Sequence, residues 1–471
     1  MYRYVDSLDD LLDLRTWFST QPYVAMDTET SGLNTHARDF RVRLIQFGNK
    51  TDAWVMDGER WIGFVQDILR DYQGRIIGHN IGGYDSAALR AVGIMLPWEK
   101  VDDTLIAMRL AEPHRLAGLK DVSRRLVSNK AADSQQALHT AMKKNKWDWD
   151  TVPHDFPPYR FYAAMDVIIN SRVYEHEICQ RGLNSPVYEM EMDVRAICSE
   201  MEWGGMRVNV PFAQATADRL RREASDIAES IQSNYGFSAS SGPQLARWLL
   251  ERGVKLSVLT GGGAPSVSKD ALEAARYSAT GEAADVMDAV LRSRKIVKLA
   301  STYFDSFVDK STDGLLHPQI QTVQARTMRM SITNPAMQTL PRTTDDPDSR
   351  LVRQAIIPRE ENHYLISSDF SQIELRIIAS LSEDPGLIAA FKEADETSGD
   401  LFVTSMRLVY NDSTLEKSDP RRSLVKNTMY ASSYGAGVAK LAQTAGVSVE
   451  EMRAVTDAVF GRFSGIKRYT K

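Results

Sequence analysis

The chain has 471 residues, 43% hydrophobic and 25% charged, with a net charge of −5. That length accommodates about three domains with cores of their own, and the balance is that of a globular protein rather than a disordered or fibrous one. No apolar run approaches the ~20 residues of a membrane helix, the acidic start MYRYVDSLDDLLDL is unlike a secretory leader, and Cys179 and Cys198 form neither a disulfide framework nor a metal pattern, so a reducing cytoplasm is expected.

The net charge argues mildly against a domain that coats nucleic acid by bulk charge. It leaves room for DNA binding through local basic clusters, with carboxylates gathered at a metal site. Along the chain, YVAMD (23–27), VRLIQFG (42–48), AWVM (53–56) and RIIGHN (75–80) read as strands. Helical periodicity follows from Tyr84, over 103–110, over 121–126 and over 159–177, with VPHDFPPYR (152–160) between the last two. From about residue 189 the pattern changes to long amphipathic helices at 189–203, 211–232, 243–252 and 282–309. TGGGAPS (260–266) is a loop, strand-like runs return over 317–382, including HYLISSDF (363–370), and helices are predicted at 421–434 and 449–460.

Three pieces of the first part carry chemistry. Asp27-Thr28-Glu29-Thr30 ends a strand, and alternation puts Asp27 and Glu29 on one face. Two adjacent carboxylates repel unless a cation lies between them, which suggests a divalent metal. His79-Asn80-Ile81-Gly82-Gly83-Tyr84-Asp85 sets Asp85 at a strand-to-helix turn, where α/β sheets place ligands. In Tyr162-Ala163-Ala164-Met165-Asp166 the phenol and the carboxylate share a helix face. Alone, each has an ordinary reading: a solvated strand end, a helix cap, an amphipathic helix. Together and in order they resemble the three exonuclease motifs of proofreading domains with a ribonuclease H-like fold. The resemblance implies that Asp27, Glu29, Asp85 and Asp166 ligate two Mg²⁺ (or Mn²⁺) ions and that Tyr162 positions the attacking water.

The middle resembles family A (DNA polymerase I-like) DNA polymerases. Residues 187–209 are similar to the opening of that family's polymerase region, and RSRKIVKLASTY (292–303) to its thumb. Basic residues there, Lys298 among them, either meet duplex phosphates or form a solvated face. Thr327-Met328-Arg329-Met330-Ser331 and Asn334-Pro335-Ala336-Met337-Gln338 resemble TGRLSS…DPNLQ, which makes Arg329 and Gln338 candidates for primer-template contact. Met328 stands where the family has Gly, and Ile332 where it has a second Ser, so a different local turn is expected.

Ser368-Asp369-Phe370-Ser371-Gln372-Ile373-Glu374-Leu375-Arg376 resembles motif A of the same family. Read from the residues, the strand HYLISSD delivers Asp369 and a helix from Gln372 presents Glu374. The resemblance implies that Asp369 binds the two polymerase-site Mg²⁺ ions and that Glu374 excludes a ribose 2′-OH. In the segment 421–435, Arg422, Lys426, Tyr430 and Tyr434 recur every four residues and so share a helix face. Two cations and two rings suit a nucleoside triphosphate, and the segment resembles the family's fingers helix. Tyr at 430 implies ready acceptance of dideoxynucleotides, and Phe402, where the family commonly has His, implies one lost phosphate contact.

The expected architecture is α/β and α+β multidomain. Residues 1–185 form the ribonuclease H-like exonuclease domain and 186–471 an incomplete right-hand polymerase domain of thumb, first part of palm and fingers. The family's late His-Asp-Glu motif does not occur in these residues, so the chain is expected to be truncated or completed by a second polypeptide. No 5′-nuclease domain precedes the first strand, a layout that suits phage-type members. The expected function is template-directed DNA synthesis with 3′–5′ proofreading, acting on primer-template DNA and dNTPs in a phage-infected bacterial cytoplasm, without membrane contact. The rivals are a stand-alone Mg-dependent exonuclease and a DNA-binding subunit of a split polymerase.

Overall fold

The computed structural model describes residues 2–342, 346–397, 399–433 and 436–469, with the side chains of 431–433 not included. The chain forms two compact units, Met1–Tyr364 and Leu365–Lys471.

The first unit opens on a six-stranded sheet of β1 (Tyr2–Val5), β2 (Tyr23–Thr30), β3 (Val42–Gly48), β4 (Ala53–Asp57), β5 (Arg75–Gly78) and β6 (Val101–Asp103), in the order β1-β4-β3-β2-β5-β6. The four strands expected from apolar runs are all present. The two short edge strands β1 and β6, four and three residues long, were not expected, because so few residues establish no alternation. Strand β2 pairs antiparallel with β3 and parallel with β5. Helices lie along the chain as α1 (Leu8–Thr20), α2 (Ile62–Asp71), α3 (Asp85–Ala91), α4 (Thr104–Ala111), α5 (Leu119–Leu126), α6 (Asp133–Asn145), α7 (Pro157–Glu175), α8 (Glu177–Leu183) and α9 (Tyr188–Gly204).

Period-2 alternation sorts the strand side chains onto two cores. Met26, Ile45 and Phe47 pack on one face with Phe18 of α1 and Leu69 of α2. Ala25, Leu44 and Val55 pack on the other with Tyr159, Tyr162 and Val167 of α7. The odd-numbered residues of β2 therefore face α7, which fixes where Asp27 and Glu29 point.

The rest of this unit is helical, as the long amphipathic periods predicted. It comprises α10 (Val210–Tyr235), α11 (Gly242–Glu251), α12 (Lys269–Arg276) and α13 (Gly281–Leu299). A single π-helical turn, Ala300–Phe304, then leads directly into α14 (Asp305–Asp309). Phe304 and Phe307 are fully buried against Leu220 of α10. Small sheets accompany these helices: β7 (Met206–Arg207), which precedes α10, joins β8 (Ser311–Thr312) and β9 (Leu315–Leu316) in one, and β10 (Gln319–Gln321) and β11 (Ser331–Thr333) make another. Helix α15 (Pro347–Gln354) comes after them. Met328, at the family's glycine position, has φ +60°, so it adopts the left-handed conformation glycine favours. Ile332 pairs with Ile320 across β10 and β11, where a hydroxyl would gain nothing.

The second unit is a bundle of α16 (Ile373–Ser382), α17 (Pro385–Glu396), α18 (Leu401–Tyr410), α19 (Arg421–Ser433), α20 (Val438–Ala445), α21 (Val449–Arg462) and α22 (Ser464–Tyr469). Its core includes Leu375, Phe391, Phe402, Met406, Val425, Met429 and Phe463. The expected strand at 363–370 does not form. Those residues are loop and exposed, with Ile366 at 93% and Phe370 at 78%. A strand exists by pairing with another backbone, and among the described residues none pairs with this run. Its β-propensity finds nothing to act on.

Candidate active sites

Four carboxylates from three separate stretches converge on the α7 face of the sheet. Gln46 of β3, opposite Asp27 in the ladder, donates its Nε2 to Asp27 Oδ2 at 2.8 Å and to Glu29 Oε1 at 3.5 Å. Asp27 and Glu29 thus share one face, as alternation required. Asp85 is the first residue of α3, at the end of the turn that leaves β5. It accepts from the Thr28 backbone N–H at 3.0 Å and the Thr28 hydroxyl at 2.6 Å. Asp166 projects from α7 one turn after Tyr162 and pairs with Lys120 of α5.

Burial is the dominant electrostatic fact, and crowding adds to it at Asp27 and Glu29. Burial first, then the neighbouring Asp85 and Asp166, pushes the Asp27 carboxyl well above the usual range. Burial, Asp27 and Asp166 do the same to Glu29. Asp85 is pushed up to about 7 by burial, against the pull of its Thr28 hydrogen bonds. Burial raises Asp166 as well, and the Lys120 ammonium draws it back down.

Such a set of hard oxygen donors, desolvated and mutually repelling, fits divalent cations such as Mg²⁺. The buried Gln46 Oε1, with no hydrogen-bond partner, adds an unused acceptor at the same place. Among the described residues no group of three or more His, Cys, Asp or Glu is arranged as a finished ion cage; Asp166 is engaged by Lys120 and Asp85 by Thr28. Gln46, Thr28 and Lys120 went unnoticed in the sequence. Nothing in the local pattern of any of them signals a site; only the pairing of β3 with β2 and the placement of α5 reveal them.

Behind the site, Asp103 at the start of α4 is 1% exposed and accepts from the backbone N–H groups of Asn80 (2.9 Å), Gly82 (3.4 Å) and Leu105 (2.8 Å). It therefore pins the turn that carries Asp85 to the end of the neighbouring strand.

In the second unit, Arg422, Lys426 and Tyr430 of α19 meet at one ring. The Arg422 guanidinium and the Lys426 ammonium stand 5.6 and 5.5 Å from the Phe402 centroid, and the Tyr430 ring 5.8 Å from it. Arg422 also pairs with Asp400 at 2.5 Å. The shared face expected from four-residue spacing is present for these three; Tyr434 lies outside the described residues. Phe402, expected only as a missing phosphate contact, is the residue against which the cations pack. Asp369 lies in the exposed loop before α16, not at a strand end, and Glu374 is in the first turn of that helix. Gln372, which caps α16, has φ +47°, a left-handed conformation that costs a non-glycine residue about 1 kcal/mol.

Elsewhere in the first unit, Gln338 donates to the Met330 carbonyl at 3.1 Å, beside Arg329. Lys298 is exposed on α13 and lines a groove with Lys269, Arg294 and Lys295. Of the same basic stripe, Arg292 pairs with Glu223 and Asp348, and Lys295 with Asp346. Part of the stripe is therefore spent on holding α10, α13 and α15 together.

The profile of DNA polymerase family A matches residues 211–471, and that of a 3′–5′ exonuclease matches residues 2–176. The chain is 28% identical to the DNA polymerase of Mycobacterium phage D29, over 99% of this chain and 78% of that protein. The phage L5 DNA polymerase gives the same identity and the same shares. DNA polymerase I of Chloroflexus aurantiacus is 26% identical over 98% of this chain and 49% of its own length. In fold, the chain is similar to the POL domain of Pol1 from M. smegmatis, solved with DNA primer-template and dNTP. The TM-score is 0.79 at 23% identity, covering all of this chain and 77% of that one. Among the described residues no helix is long and apolar enough to cross a membrane. With one profile spanning more than half of its length and the other nearly all of the remainder, this chain is a member of the family A DNA polymerases that carries a 3′–5′ exonuclease domain.

Proposed function

We propose that Asp27, Glu29, Asp85 and Asp166 are the exonuclease residues of this polymerase, within a domain spanning residues 1–185, and that 186–471 belong to its polymerase domain. The observation that carries the assignment is the convergence of four carboxylates from β2, α3 and α7, three of them buried and Asp27 half-buried. Two Mg²⁺ or Mn²⁺ ions held there would stabilise the attacking and leaving oxygens of a phosphodiester. Tyr162, one turn before Asp166 on α7, would orient a water toward a 3′-terminal phosphate. Gln46 and Thr28 hold Asp27 and Asp85 in place. Partial burial lowers the local dielectric, so that each charge acts more strongly than it would in bulk water.

In the polymerase part, the chain's own contribution is nucleotide binding. Arg422 and Lys426 would take the triphosphate and Tyr430 the sugar and base, with Tyr434 continuing the same face and Glu374 guarding against a 2′-OH. Asp369 is the proposed ligand of the polymerase-site ions; one carboxylate on a loop does not by itself make an ion site. Arg329, Gln338 and Lys298 are the proposed contacts to primer-template DNA, the partner, with dNTPs, of template-directed synthesis. Replication in a phage-infected bacterial cytoplasm is the setting that the phage relatives favour.

The test is Mg²⁺-dependent loss of a 3′ label from single-stranded DNA. The unmodified chain is expected to degrade the strand, and the Asp27→Ala, Glu29→Ala double variant to be slower by about 10²-fold or more. Equal rates in the two proteins would remove the assignment.

A further inference from the structure

Lys120 belongs to none of the three exonuclease stretches, yet its ammonium sits among their carboxylates. It pairs with Asp166, lies 4.9 Å from the centroid of the Tyr162 ring, and its charge also reaches Asp27 and Glu29. Its side chain is 16% exposed.

Nothing about the local structure favours a cation there. Lys120 is the second residue of α5, and the first turn of a helix carries the positive end of its dipole, where lysine is unfavourable. The N-cap, Gly118, offers no side-chain acceptor. Burying an ammonium also costs free energy unless an opposite charge meets it. Both penalties are offset chiefly by the ion pair with Asp166 and the carboxylates around it, so the cluster is the reason for the residue.

We infer that Lys120 is a positioning residue of the exonuclease site: its ammonium is a resident counter-charge that keeps the four carboxylates converged without an ion and gives up Asp166 when ions enter. This rests on assigning those carboxylates to the exonuclease. The flexible four-carbon stem lets the head group withdraw without moving the backbone of α5. Lys120 and a divalent cation then compete for the same Asp166 oxygen, which gives the inference a measurable sign.

The experiment is Mn²⁺ titration of the full chain by calorimetry, with melting curves in EDTA and at saturating Mn²⁺, on the unmodified protein, K120M, K120R and the D27A/E29A double variant. The sites lost in the double variant are those of the exonuclease. At those sites K120M is expected to bind Mn²⁺ about tenfold more tightly, because a charge a few ångströms away no longer opposes the ion. K120M is also expected to melt lower than the unmodified chain in EDTA and to recover with Mn²⁺, while K120R stays close to the unmodified chain in both respects. If K120M does not remain folded in EDTA, recovery with Mn²⁺ supports the inference and failure to recover overturns it; K120Q then supplies the affinity comparison. Unchanged or weaker Mn²⁺ binding by the uncharged variants overturns the role of Lys120 alone. Unchanged Mn²⁺ stoichiometry in D27A/E29A overturns the carboxylate assignment itself.

Discussion

At the scale of single residues, the exonuclease carboxylates set stability against charge. Asp85 binds its proton up to about pH 7 in the folded chain, whereas an unfolded Asp releases it near ~3.9. Folding therefore takes up a proton between those values. The stabilising contribution is complete below the unfolded value and is lost as pH rises through the folded one. In EDTA the chain is expected to melt at a lower temperature at about pH 8 than at about pH 5, and Asp85→Asn to flatten that slope. A slope that Asp85→Asn leaves unchanged would place the linkage on other groups. The residues behind this behaviour were legible because each lies in or at the edge of an element with a strong pattern of its own. Lys120 was not: a lysine in a short helix reads as solvated until tertiary structure brings Asp166 to it.

At the scale of elements, the position of Asp85 depends on a connection that the sequence did not reveal. The turn from β5 to α3 hangs on Asp103, whose strand, β6, is too short to register as a period. Asp103→Ala leaves the N–H groups of Asn80, Gly82 and Leu105 without their acceptor in a buried place. A loss of about 2 kcal/mol in unfolding free energy is expected, measured by urea titration, with exonuclease turnover falling further than stability alone accounts for. Full activity in a folded Asp103→Ala protein would show that Asp85 needs no such support. The loop at 363–370 marks the opposite limit. Its β-branched and aromatic content is clear in the sequence, but strand formation is decided by a partner backbone, about which local residues say nothing.

Across the whole chain, the expected boundary at residue 185 cuts through a packed core. Tyr188 and Met192 of α9 are buried in the same cluster as the exonuclease sheet. Tyr188 donates its hydroxyl to Asp102, and the Asp103 N–H donates to it. Ser86 meets Ser199 at 3.1 Å, and Arg90 pairs with Glu200 at 2.6 Å. A fragment of residues 1–204 is therefore expected to melt several degrees above one of residues 1–185 by circular dichroism; equal melting temperatures would make 185 a true domain end. Sequence similarity locates such a boundary where character changes, whereas the compact unit that holds the exonuclease sheet runs on to Tyr364.

The π-helical turn at 300–304 has a consequence for insertions and deletions. A π turn holds one residue more than the α-helix it interrupts, so α13 and α14 together carry one residue beyond what regular winding over that rise needs. Deleting Ser301 or Thr302 would remove that surplus residue and restore an unbroken α-helix, with the residues that follow kept on nearly the same faces. Phe304 and Phe307 would then stay against Leu220, and Asp305 beside Arg221, with which it is paired. A one-residue deletion is therefore absorbed at this turn, whereas the same deletion within the regular winding of α13 would rotate all that follows by about 100°.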